Sequence, residues 1–124
     1  MMPHGYTIHL PHTRPPLTSN QRFHWRKKAS ITADLRLQVH RLLMLANVPP
    51  MRKAQIELVW VVKDRRRRDV DNVVPTLKVC ADAAVDAGVI QDDTPEFCVK
   101  VMPTIKHDPW ADTAHLELRI TEVY

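Results

Sequence analysis

Ala54-Gln55-Ile56-Glu57-Leu58-Val59-Trp60-Val61-Val62 is the stretch on which the fold turns. Ile56, Leu58, Trp60 and Val62 recur at the period of two that lines one face of a strand, and Val59 and Val61 make the other face apolar toward its end. A strand that is apolar on both faces is buried on both, so it belongs in the middle of a sheet. Directly beyond it the chain reads Arg65-Arg66-Arg67-Arg68-Asp69-Val70-Asp71-Asn72. Four guanidiniums and two carboxylates therefore stand where a central strand leaves the core, a favoured place for chemistry in open α/β sheets.

Upstream, Tyr6, Ile8 and Leu10 alternate with Thr7 and His9 as a half-buried strand that Pro11 stops. Pro11 to Ser30 reads as a loop rich in Pro, Ser, Asn and basic residues. In it Arg22, Trp25, Lys27 and Lys28 form a basic and aromatic cluster. Trp25 there either stacks a base or anchors the loop on the core. Ser30 or Thr32 is placed to cap a helix whose Leu35, Val39, Leu42 and Ala46 share one face, ended by Asn47 and Pro49-Pro50.

Downstream, Pro75 suits the first turn of a second helix and Gly88 its end. Lys78 and Asp82 on that helix have the spacing of an ion pair. Gln91 to Pro95 is a turn by composition. Phe97, Val99 and Val101 make a third strand ending at Pro103, Lys106 to Asp112 a loop, and Leu116, Leu118 and Ile120 a fourth strand. The order β-α-β-α-β-β describes one α+β domain over residues 1–124, a mixed sheet with two helices. Its first β-α-β unit fits a right-handed parallel crossover and its last two strands an antiparallel pair.

The totals agree with a folded domain: 124 residues, 44% hydrophobic and 26% charged. A net charge of +4 with an isoelectric point near 9.3 favours an anionic partner, and the basic residues concentrate at Arg22–Lys28 and Arg65–Arg68. Cys80 and Cys98 are isolated thiols, which points to neither a zinc site nor a disulfide framework. Met1 to Pro16 lacks the apolar run of a leader, and no stretch approaches the ~20 apolar residues of a membrane span. The expected location is the cytoplasm.

Arginines attract phosphate, whereas adjacent carboxylates repel it unless a divalent cation lies between. In an extended segment Asp69 and Asp71 point to the same side while Val70 turns to the core, so both carboxylates can meet one Mg²⁺ or Mn²⁺. A third carboxylate has to come from elsewhere, and Asp92-Asp93, beyond the second helix, is the natural source. The same octet also fits a solvated loop with a charge run.

Taken together, Asp69-Val70-Asp71-Asn72, Lys78, Asp82, Ala87-Gly88 and Asp92-Asp93 resemble the RusA-type Holliday junction resolvases. The preceding basic run, the early Pro-Pro, Asn20-Gln21-Arg22 and the element order match as well. That resemblance implies a homodimeric, Mg²⁺-dependent endonuclease that resolves four-way DNA junctions by paired incisions in recombination and repair. It implies Asp69, Asp71 and Asp93 as metal-binding carboxylates, Asp92 as an auxiliary and Lys78 as the essential basic residue. Arg65 to Arg68, Asn72, Arg22, Trp25, Lys27 and Lys28 would hold DNA. In the family pattern the Lys follows the Asn by three residues, and here by six. The three extra residues are nearly one helical turn of ~3.6, which returns Lys78 to the same face. Two alternatives keep the charge pattern: a phage or prophage nuclease acting on flaps or forks, and a DNA-binding module without catalysis.

Overall fold

The computed structural model describes residues 5–124. Residues 1–4, part of the N-terminal stretch read above for a leader, lie outside the described residues. The elements in order are β1 (Gly5–Leu10), α1 (Trp25–Leu45), β2 (Ala54–Val62), a 3₁₀ turn (Val70–Val73), α2 (Val74–Asp86), β3 (Cys98–Lys100), β4 (Thr104–His107) and β5 (His115–Glu122).

As its two apolar faces demand, β2 is central. It pairs with antiparallel β5 on one side and with parallel β3 and β4, end to end, on the other. β1 closes the far edge by antiparallel pairing with β5. The result is a five-stranded mixed sheet with two helices, the α+β class read from the sequence. β1 and β2 run parallel in one sheet, as expected, with β5 between them. The expected pairing of the last two strands needs correction. β5 is antiparallel to β3 and β4 yet separated from them by β2. Periodicity identifies a strand and its buried face but carries nothing about its partner.

The third strand ends at Lys100, ahead of Pro103, which has no N–H for the ladder, and the chain then resumes alongside Val59–Val62 as β4. Lys106 and His107, expected in a loop, are therefore strand residues.

α1 begins at Trp25, well before Ser30 or Thr32. His24 is its N-cap, with Nδ1 accepting from the Arg26 N–H at 3.2 Å. Thr32 instead donates to the Lys28 carbonyl one turn back, a mid-helix bond. The first turns were invisible to periodicity because residues 25–30 are all exposed, whereas the buried stripe Leu35, Val39 and Leu43 starts later. Both helices end as the sequence indicated. Asn47 (φ 54°) and Gly88 (φ 75°) take the left-handed conformation. The N–H groups of Val48 and Val89 then close onto Leu43 and Ala84 carbonyls in matching Schellman caps.

The core lies on one side of the sheet. Ile8, Leu10, Ile56, Leu58, Leu116, Leu118 and Ile120 meet α1 and the small-residue surface of α2 (Cys80, Ala81, Ala83, Ala84). Cys80 and Cys98 are free and buried, and burial pushes the Cys80 thiol up to about 12. Arg36 of α1 grips Asp86 of α2 through two hydrogen bonds, one of 2.8 Å, which ties the helices at their solvent edge. Among the described residues no helix is long and apolar enough to cross a membrane.

Candidate functional site

Because α2 is buried nearly all round, its solvent face narrows to a stripe. Val74, Lys78 and Asp86 are exposed and Asp82 is half-buried, at the i, i+4 spacing of one helix face. The 3₁₀ turn leads directly into α2, and residues three apart in such a turn eclipse, so exposed Asp71 heads the same stripe. Lys78 is its hub. Its Nζ lies 3.1 Å from Asp82 Oδ1, as the spacing indicated, and 2.8 Å from Asp93 Oδ2. The chain thus returns beyond α2 to bring Asp93 onto the helix that starts beside Asp71.

Lys100 of β3 also reaches Asp93, at 3.5 Å, and was missed by sequence reasoning. Its place beside α2 depends on the parallel pairing of β3 with β2, which leaves no local signature. The Lys78 hydrogen bond, supported by Lys100, holds the Asp93 carboxyl down to about 2, and the same bond raises Lys78. A depressed carboxyl stabilises above its ordinary pKa and loses that effect as pH falls through about 2, while a raised lysine stabilises below its ordinary pKa. The pair therefore stays charged across roughly pH 4 to 10. Lys78→Met should move the Asp93 titration back toward ~3.9, as read by carboxyl ¹³C NMR. A titration that stayed put would assign the effect to Lys100.

The expected alternation of Asp69 and Asp71 is corrected by the backbone. Asp69 is extended (φ −107°, ψ 122°), but Asp71 is already inside the 3₁₀ turn. Asp69 caps that turn, its Oδ1 accepting from the Asp71 N–H at 3.0 Å. Val70 does not enter the core; it is half-buried and lines a cleft. The second Asp69 oxygen and the whole Asp71 carboxylate take no protein hydrogen bond among the described residues. Asp92 folds back onto the Asp93 N–H at 2.8 Å. Among the described residues, one trio of possible metal ligands closes to within 4.8 Å: His9, His115 and Glu117. The aspartates are not gathered to that spacing, since Asp93 is drawn to the two lysines.

The cleft, about 750 Å³, lies between Thr18 and Asn20 on one wall and Arg67, Asp69 and Asn72 on the other, with Trp60 and Val70 at its apolar base. The four arginines play different parts. The Arg68 side chain is only 15% exposed; it stacks over Trp60 at 5.1 Å and donates to Asp64 Oδ1 at 2.7 Å and to the Arg66 carbonyl at 3.0 Å. Asp64, unremarked in the sequence, is thus the anchor of the loop, and its i, i+4 spacing to Arg68 was the available signal. The Arg66 backbone N–H donates to Asp64 Oδ1 at 3.0 Å, while its guanidinium makes only a long contact with Asp64, at 3.9 Å. Arg65 and Arg67 are exposed and enter none of the ion pairs among the described residues. Arg68→Ala should therefore lower the Tm and shift the Trp60 indole N–H resonance. Arg67→Ala should do neither, and should instead reduce the salt slope of the DNA binding expected from the sequence by about 0.9, one phosphate contact. Equal slopes for Arg67→Ala and the parent would remove Arg67 from the contact surface.

Trp25 is 69% exposed, so it does not anchor the core. It carries Arg26 over its ring at 5.2 Å, and Lys27 sits over Phe23 at 4.8 Å. Arg22, Lys27 and Lys28 are exposed. Phe23 and Lys28 border a crevice of about 100 Å³ with Leu17, Thr18 and Pro75, which sets the start of α1 against the cleft wall. No protein-family model and no curated protein matches the chain.

Proposed function

We propose that the chain is a Mg²⁺-dependent, structure-specific endodeoxyribonuclease that resolves four-way DNA junctions, as its likeness to the RusA-type resolvases implies. The observation that carries the reading is Lys78. This one ammonium joins Asp93 to the exposed helix face headed by Asp71, beside a cleft walled by Arg67, Asp69 and Asn72. Lys78 thereby ties two carboxylates from separate segments of the chain, Asp82 and Asp93, at the solvent face of α2.

Asp71 and the uncapped oxygen of Asp69 are hard oxygen donors of the kind Mg²⁺ takes, and one or two carboxylates suffice when water fills the remaining positions. A divalent cation held there supplies charge neutralisation at phosphate and acidifies water. Lys78 and Lys100 keep Asp93 ionised and add positive charge where negative charge grows on a phosphate under attack. Arg65 and Arg67 hold strand backbones without reading sequence, with Trp25, Lys27, Lys28 and Arg22 as a second contact region. A two-fold homodimer places two such sites on a two-fold junction.

One observation favours a second reading. The Asp93 carboxylate already has two ammonium partners, as a purely structural ion pair would. In that case the domain binds DNA without cutting it. The deciding experiment incubates labelled mobile four-way junction, fork and duplex with the protein in Mg²⁺ and in EDTA, alongside light scattering of the complex. Symmetric junction nicks in Mg²⁺ from a dimer near twice 14.3 kDa are expected. Fork cutting in preference to the junction moves the substrate to other branched DNA. Binding that is indifferent to EDTA, with no cleavage, establishes the non-catalytic module.

A further inference from the structure

The sheet has a second face that carries no helix. Ile8, Leu10, Leu116, Leu118 and Ile120 point into the core, so His9, His115 and Glu117 point the other way. His9 stands directly opposite Glu117 in the β1–β5 register, and His115 precedes Glu117 by two residues on the same face. The imidazoles stack at 5.1 Å between centroids, and the candidate ligand atoms all lie within 4.8 Å of one another.

From this arrangement we infer a binding site for a borderline divalent transition metal, Zn²⁺ above all, formed by His9, His115 and Glu117 and clamping the edge strand β1 to β5.

The hydrogen inventory of His115 supports it. Nδ1 lies 3.0 Å from the Thr113 carbonyl and Nε2 lies 3.2 Å from Glu117 Oε1, so both ring nitrogens face acceptor oxygens. A neutral imidazole has one N–H to offer. With Nδ1–H donating to Thr113, the Nε2 lone pair faces a carboxylate, and that contact calls for a cation between them. A backbone carbonyl on the outer nitrogen is also the partner that fixes a metal-binding imidazole in the correct tautomer. Glu117 is oriented in the same manner from behind. Arg119 donates to its Oε2 at 3.1 Å and leaves Oε1 toward the histidines. Two nitrogens and one oxygen suit Zn²⁺ with a fourth position open to solvent, whereas Mg²⁺ and Ca²⁺ prefer oxygen alone. The competing occupant is a proton, which would make His115 an imidazolium bridging Thr113 and Glu117.

Titration of Zn²⁺ into the metal-free full-length chain in Mg²⁺ buffer, by calorimetry and thermal melting, separates the two. We expect one Zn²⁺ per chain and a rise in Tm that EDTA reverses, since an ion bound only to the folded state stabilises it. His9→Ala, at an exposed position, and Glu117→Gln should each weaken Zn²⁺ by more than about 100-fold, beyond the loss of an outer partner. His40→Ala and Asp71→Asn should keep the parent affinity, which makes the result independent of the nuclease reading. Absence of saturable Zn²⁺ binding leaves the proton as occupant and overturns the inference. Undiminished binding by His9→Ala overturns it too, because the ion then sits elsewhere.

Discussion

Asp71→Asn is expected to lower the proposed Mg²⁺-dependent junction cleavage by at least the ~100-fold seen when one group that stabilises transition-state charge is removed, and to leave junction affinity equal or higher. Asp71 is exposed, and its carboxylate takes no protein hydrogen bond among the described residues, so its charge is free for a cation. The neutral amide keeps the shape of the side chain and the 3₁₀ turn, whose cap is Asp69, so the fold is not at stake. Removing a negative charge beside the arginine loop lessens repulsion of phosphate, hence the retained or tighter binding. Single-turnover cleavage and a parallel mobility-shift titration in EDTA measure the two effects. Undiminished cleavage would remove Asp71 from the metal site, and lost binding with intact Tm would make it a DNA contact instead.

Thr76→Val lowers stability by about 1–3 kcal/mol for each polar group it orphans, and there are two. Thr76 is fully buried in α2. Its hydroxyl donates to the Leu17 carbonyl at 2.7 Å and accepts from the Leu17 N–H at 3.2 Å. Valine has the same shape and neither function, so both Leu17 groups lose their partner in a dry interior. Even the lower end of that sum, ~2 kcal/mol, at roughly 4 °C per kcal/mol gives a fall of about 8 °C in Tm. The site feels it as well. Leu17 tethers the segment whose Thr18 and Asn20 form one cleft wall, and Ser19 reaches the Asp71 carbonyl at 3.2 Å. DNA affinity should therefore drop along with stability, with all of the arginines intact. A Tm matching the parent would mean the Leu17 groups find other partners.

What the sequence determined by itself is whatever depends on near neighbours. Period-two runs marked β1, β2 and β5, and two-sided apolarity made β2 central, because side-chain direction repeats within a strand. Asn47 and Gly88 ended the helices since the left-handed conformation favours their residue types. The Lys78–Asp82 pair was legible from helical spacing. The tertiary structure alone decided whatever joins distant segments. It inserted β5 between β1 and β2, continued the sheet past Pro103 and started α1 on a wholly exposed turn that has no apolar period to read. It also brought Lys78 and Lys100 to Asp93, and Arg68 onto Trp60. His9 and Glu117 stand 108 positions apart in the chain, 117 less 9, yet face each other across one ladder. Register is set by burial of the opposite face, a property of the whole sheet, and no spacing along the chain encodes it.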